Sequence, residues 1–241
     1  MRSIVSRAKA PSFGSASPCS SGNSRQWELN RNNMRILIAD DHAIVRRGLS
    51  EILLEAWPAA EIEQVGDADM LLQRSIEDSW DLVISDLMMP GRSVLETVQQ
   101  IRQYQPQVPV LILSIFPEEQ YATRVFKAGA SGYINKDAAP TELVKAVQRI
   151  LQGRKYITAA VAEKLASDLR ADKERAPHEL LSDREFNVMK MLAAGNSITE
   201  IATQLSLSPT TISTYRSRIM EKMKMKANAE LARYALENGL I

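Results

Sequence analysis

From residue 34 onward, short apolar runs alternate with longer stretches in which apolar residues recur every three or four positions. The runs lie at 35–39 (RILIA), 61–65 (EIEQV), 82–85 (LVIS), 108–113 (VPVLIL) and 132–134 (GYI). Helical spacing fills the gaps at 42–56, 68–78, 93–104, 118–128 and 140–152. Nearly continuous apolar strands suit a sheet covered on both faces. Strands alternating with helices predict a parallel, doubly wound α/β domain of five strands. Beyond 153 the texture changes. Residues 154–177 interleave charges of both signs and end at Pro177, which reads as a solvated helix running into a linker. From 178 to 241 only helical periods remain, near 183–194, 198–205, 209–225 and 228–238. Ser182 stands three residues before Glu185 as in a capping box, and Ser208-Pro209 supplies an N-cap and a first helical residue.

Composition narrows the picture. The 241 residues are 45% hydrophobic and 24% charged, ordinary for two small domains and a linker. The net charge is +1, so binding to a polyanion must rest on a local patch. Cys19 is the single cysteine and His42 and His178 are the only histidines, which leaves no disulfide framework and disfavours a Cys- or His-based metal site. No apolar run nears the roughly 20 residues that span a bilayer, so a cytoplasmic protein without membrane contact is expected. Residues 1–33 carry Arg2, Arg7, Lys9, Arg25 and Arg31 against Glu28, with much Ser and no hydrophobic period. They read as a disordered extension, or as residues upstream of a true start at Met34. A likeness to an organellar transit peptide rests on composition alone.

In a doubly wound sheet the crevice lies at the carboxyl ends of the strands. Asp40 and Asp41 end the first strand, Asp86 the third and Ser114 the fourth, and Lys136 follows the fifth. Singly, each is an ordinary cap or loop residue. Together they gather three mutually repelling carboxylates, which call for a cation, and hard oxygen ligands suit Mg²⁺. One carboxylate can then serve as a nucleophile toward phosphorus.

The strings LIADDH (37–42), SDLMMPG (85–91), LILS (111–114) and SGYINKD (131–137) make residues 34–153 resemble the receiver domain of two-component response regulators, a flavodoxin-like fold. The resemblance implies that Asp86 is the phosphoacceptor for a sensor histidine kinase. It further implies that Asp40, Asp41, Asp86 and the backbone carbonyl of Met88 hold Mg²⁺, and that Ser114 and Lys136 contact the phosphoryl group. Tyr133 falls at the aromatic switch position. Two residues depart from the family pattern. Ile115 stands where a small residue is usual, and Val94 where Gly is common; Ser93 can still cap the following helix.

The C-terminal segment 181–241 joins two helices through Leu207-Ser208-Pro209, a helix-turn-helix arrangement whose second helix enters the major groove. Arg216, Arg218, Lys222, Lys224 and Lys226 cluster on and after that helix against Glu221. A solvated face of a plain helix bundle would also carry such charge, but the turn and the hydroxyl run 208–214 favour DNA. This segment resembles the LuxR-type helix-turn-helix, and the whole chain resembles the NarL/FixJ group. By that resemblance Ser213, Thr214 and Ser217 face base edges with Tyr215 and Arg216 beside them, while Thr211, Arg218 and Lys222 meet phosphates. Family members often carry Lys in place of Ser213 and Ser217. The last helix is expected to pack on its bundle, to pair two copies on double-stranded promoter DNA, or both.

The expectation is a DNA-binding response regulator, a homodimer when phosphorylated or DNA-bound, and not an enzyme beyond chemistry on its own Asp86. A phosphatase passing through an aspartyl phosphate is the main alternative. It predicts an acid two residues after the nucleophile, where Met88 stands. A receiver acting only through protein contacts is the other.

Overall fold

The computed structural model describes residues 34–170, 176–205 and 207–241. The expectations for residues 1–33 lie outside this range. Five parallel strands, β1 (Arg35–Ala39), β2 (Glu61–Val65), β3 (Leu82–Asp86), β4 (Val110–Ser114) and β5 (Gly132–Asn135), form one sheet in the order β2-β1-β3-β4-β5. The crossovers are α1 (Ala43–Ala56), α2 (Ala68–Glu77), α3 (Val94–Tyr104) and α4 (Glu118–Lys127), and α5 (Ala139–Leu151) follows β5. Alternate residues of each strand face opposite helical layers. Ile36, Ile38, Ile84, Leu111 and Leu113 pack with Leu49 and Leu53 of α1 and Leu143 and Val147 of α5. Leu37, Val83, Val110 and Ile112 pack with Leu71 of α2, Val98 and Ile101 of α3 and Val125 of α4. Burial on both faces is why β1, β3 and β4 read as continuous apolar runs, while the edge strand β2, with Glu61, Glu63 and Gln64, is only partly buried.

The strand bounds differ a little from the periodicity. Strand β4 starts at Val110 because Pro109 has no N–H to donate to the ladder, although its carbonyl accepts from Val83. Strand β3 runs on to Asp86, which pairs in register with Leu113, so the acid is part of the sheet edge. Ser93 caps α3 by accepting from the Glu96 N–H at 3.3 Å, and Val94 is buried in that helix.

Within 154–170, part of the stretch packs on the receiver although its charges read as solvated. Its start is held to the sheet by a bridge between Tyr156 and Gly132, and α6 (Ala159–Arg170) packs on α4 with Val161 buried. Gly132 is required there, since a Cβ would sit 2.9 Å from both Ile150 and Leu111 side-chain carbons. Val161 is buried and Ile157 and Leu165 pack half-buried against the same core, and the charged residues around them hide this from a charge-based reading.

The C-terminal helices are α7 (Asp183–Ala193), α8 (Ile198–Gln204), α9 (Pro209–Met223) and α10 (Asn228–Glu237). Both α7 and α8 start with complete capping boxes, Ser182 with Glu185 and Ser197 with Glu200. Ser208 caps α9, accepting from the Thr211 N–H at 3.0 Å, with Pro209 in the first turn. Phe186, Val188, Leu192, Ile201, Ile212, Ile219, Met223, Leu231 and Ala235 make the core of this bundle.

Candidate phosphoryl site and nucleic-acid interface

Parallel pairing of β1, β3, β4 and β5 brings Asp40, Asp86, Ser114 and Lys136 to one rim. Asp40, Asp86 and Ser114 are buried, and Asp41 reaches toward solvent. Lys136 Nζ lies 2.6 Å from Asp40 Oδ2 and 2.9 Å from Asp86 Oδ2, joining two strand ends through one ammonium. Burial raises the Asp86 pKa to about 6. Lys136 works against that rise, Asp40 adds to it, and the Met88 N–H also stabilises the carboxylate. Lys136 itself is raised: burial opposes its charge, but the Asp86 and Asp40 carboxylates outweigh that. Ser114 Oγ accepts from the Phe116 N–H at 3.2 Å, which ties the hydroxyl to the loop that follows β4. Tyr133 is buried and its hydroxyl donates to the Phe116 carbonyl at 2.7 Å. Tyr133 is therefore turned inward and bonded to that same loop. Ile115 between them is 66% exposed.

Ligand atoms of Asp40, Asp41, His42 and Asp86 all lie within 4.8 Å of one another. This donor set fits a small hard cation: three carboxylates converge, and a single ammonium bridges only two of them. Two neighbours escaped the sequence reading. His42 Nδ1 lies 2.7 Å from Asp41 and 3.3 Å from Asp40, so an imidazole stands at the mouth of the cluster. Arg46 Nη1 donates to the Asp40 carbonyl at 2.5 Å from one turn into α1. His42 was visible as the residue after two acids. Arg46 binds a main-chain atom, and side-chain pairing in the sequence gives no hint of that.

In the C-terminal domain α9 presents Ser213, Thr214, Ser217 and Arg218 to solvent, with Thr211, Tyr215 and Arg216 half-buried. Thr214 Oγ1 donates to the Thr210 carbonyl at 3.0 Å, and Ser217 Oγ to the Ser213 carbonyl at 3.1 Å. Arg216 Nε donates to Asn228 Oδ1 at 2.9 Å. Lys222 Nζ pairs with the buried Glu185 carboxylate at 2.6 Å, which makes this lysine a strut between α9 and α7. Glu185 is held below its ordinary pKa: burial acts to raise it, but the bonds from Lys222 and Ser182 prevail.

A third set of residues, also missed, joins the two domains. Ser93 Oγ donates to Asp183 Oδ1 at 2.5 Å, with Asp183 itself buried. Arg124 of α4 donates to the carbonyls of His178 and Leu181 and stacks over Phe186, 4.6 Å from the ring centre. Phe116 stacks on Tyr121 at 4.8 Å, and Tyr121 meets Phe186 edge to face at 5.3 Å. Lys190 of α7 donates to Gln120, and Lys127 pairs with Glu179 at 3.6 Å.

Family models match both halves. Residues 36–148 match the response regulator receiver domain, and residues 179–235 match the luxR family of bacterial regulatory proteins. The response regulator GacA of Pseudomonas aeruginosa is 32% identical over 209 residues, covering 86% of this chain and 98% of that protein. The response regulator UvrY of Escherichia coli is 32% identical over 208 residues, covering 86% and 95% respectively. Among solved structures, a complex of the response regulator RcsB with DNA is 28% identical, covers 84% of this chain and 98% of its own, and aligns with a TM-score of 0.51. RcsB of Salmonella enterica serovar Typhimurium, bound to the rprA promoter with the phosphomimetic beryllofluoride, aligns at 0.53 with the same identity and coverage.

Proposed function

The chain belongs to the two-component response regulators of the NarL/FixJ group, which couple a receiver to a LuxR-type DNA-binding domain, and from that premise we propose that Asp86 is the residue at which its signal arrives. The observation that carries this reading is the convergence of Asp40, Asp41, Asp86 and Lys136 on one rim. An Asp86 carboxylate oxygen attacks the phosphorus of a phosphohistidine on a sensor kinase. The P–N bond breaks, the imidazole leaves with the electron pair and takes up a proton, and an acyl phosphate remains. Lys136 supplies a positive charge to the phosphoryl oxygens and Ser114 a hydrogen bond. Asp40, Asp41, Asp86 and the Met88 carbonyl would hold a Mg²⁺ ion, which when bound would offset the crowded negative charge. The chemistry is directed at the protein's own side chain, so the chain acts as a switch in the cytoplasm and not as an enzyme on other substrates.

A phosphoryl group adds about 1.5–2 negative charges at pH 7. Drawing Ser114 toward it pulls on Phe116, because Ser114 Oγ and Tyr133 both bond the Phe116 backbone. Phe116 stacks on Tyr121, which meets Phe186 of α7, so the same movement reaches the DNA-binding domain. The phosphorylated protein then pairs as a dimer on promoter DNA. The test is phosphotransfer to the purified full chain with Mg²⁺ and a small phosphodonor or a phosphorylated kinase domain. Labelling that is lost in Asp86→Asn and raises DNA affinity supports the reading. Labelling that persists in Asp86→Asn overturns it.

A further inference from the structure

A hydroxyl has one proton. Those of Thr214 and Ser217 are engaged with helix carbonyls, so toward DNA these two side chains offer lone pairs. Lone pairs can accept from the amino groups of adenine or cytosine, but they cannot bond guanine, whose major-groove edge shows only the acceptors O6 and N7. Lys222 is committed to Glu185. Ser213, Tyr215 and Arg218 also carry donors on α9, but Arg216 is the guanidinium there that a neighbouring helix holds in place, so it is not a free surface cation. It is half-buried, and its Nε is bonded to Asn228, the first residue of α10. The contact crosses the turn between the two helices. That turn is itself fixed by Lys224 in the left-handed region at φ 54° and by the Met225 N–H donating to the Met220 carbonyl at 2.9 Å. With Nε engaged, the guanidinium keeps its two Nη groups as a parallel pair of donors, the arrangement that matches O6 and N7 of one base.

We propose that Asn228 is a positioning residue that holds Arg216 as the guanine reader of the recognition helix. The proposal rests on the DNA-binding function and adds which residue confers preference for a G·C pair and what orients it. The segment between the two residues contains Lys224 and Lys226, which strengthen attraction to the backbone without reading sequence.

The experiment is a selection of bound duplexes from a random library with the phosphorylated full-length protein. Equilibrium titrations of the wild type, Arg216→Ala, Asn228→Ala and Asn228→Asp against the selected site follow, together with single-base variants at several salt concentrations. Thermal melts confirm that each variant is folded. Arg216→Ala should abolish the preference for guanine at one position, a loss of roughly 5- to 150-fold in discrimination for a bidentate contact. Asn228→Ala should weaken discrimination at that same position several-fold while leaving the salt dependence unchanged. Asn228→Asp, which keeps the acceptor, should restore the discrimination. A uniform loss on all sequences in either alanine variant, or a salt slope reduced by about one in Arg216→Ala, makes Arg216 a phosphate contact and overturns the proposal. A wild-type protein that selects a site without an Arg216-dependent guanine overturns it too. If the wild type selects no duplex at all, the DNA-binding reading falls with it.

Discussion

At the scale of single residues, the site was legible because a doubly wound sheet sends the ends of its strands to one place. Asp40, Asp86, Ser114 and Lys136 each follow an apolar run, and register does the rest. The partners that act through the backbone were not legible. Arg46 on the Asp40 carbonyl and Tyr133 on the Phe116 carbonyl bond atoms that every residue carries, so side-chain identity gives no sign of them. Ile115 is the chain's own variation on this rim. It stands beside Ser114 and is 66% exposed, so its bulk lies outside the core. If that bulk screens an acyl phosphate on Asp86 from water, removing it speeds hydrolysis. Ile115→Ala is expected to shorten the lifetime of phosphorylated Asp86 several-fold with little change in thermal stability. Following the decay of labelled protein checks this, and an unchanged lifetime would remove Ile115 from the account.

At the scale of elements, among the described residues the periodic signal located the α-helices of both domains to within a residue or two, since each buries one apolar face; the short 3-10 turns at Lys136–Ala138 and Pro177–Leu180 carry no such period. The signal is weakest where a charge has a structural task. Glu185 reads as the far end of a capping box, which it is. Its carboxylate also accepts from Lys222, 37 residues away, while being almost fully buried. Lys222, expected at a phosphate, is thereby the link that sets α9 against α7. Lys222→Met should destabilise the C-terminal domain by about 1–2 kcal/mol. That is less than the cost of breaking a fully buried pair, because Lys222 is partly exposed and Ser182 still bonds the carboxylate. The salt dependence of DNA binding should barely change. A salt slope falling by about one with intact stability would instead place Lys222 on the DNA backbone.

At the scale of the whole molecule, the sequence announces two domains and a linker but not how they meet. The interface is made by residues that each look local: a helix cap, an exposed-looking arginine, the first residue of another helix. Ser93 caps α3 and also bonds Asp183, and Arg124 closes over Phe186 while bonding carbonyls at 178 and 181. The exposed face of α9 lies away from these contacts, so docking restrains the orientation of the DNA-binding domain without covering its reading helix. Arg124→Ala should loosen the pair of domains and raise the DNA affinity of unphosphorylated protein toward that of the phosphorylated form. The same interface should respond to pH. Burial raises the Asp183 pKa; the Ser93 bond, the Arg184 N–H and the charges of Arg124 and Arg184 act to lower it but do not prevail. Glu179 and Glu185 also face Arg124. The docked form therefore holds the Asp183 proton more tightly than the undocked form, where an exposed carboxyl titrates near its ordinary value of about 4. Docking is strongest below that value and weakens as pH rises through the raised pKa, by at most one proton's worth of linkage. Asp183→Asn fixes the neutral state and should flatten this dependence. Because His178, Glu179 and Glu185 also lie near this interface, the informative quantity is the difference between wild type and Asp183→Asn. Energy transfer between dyes on the two domains, measured from pH 4 to 8, reads it directly. Parallel curves for the two proteins would show that the Asp183 charge plays no part in holding the domains together.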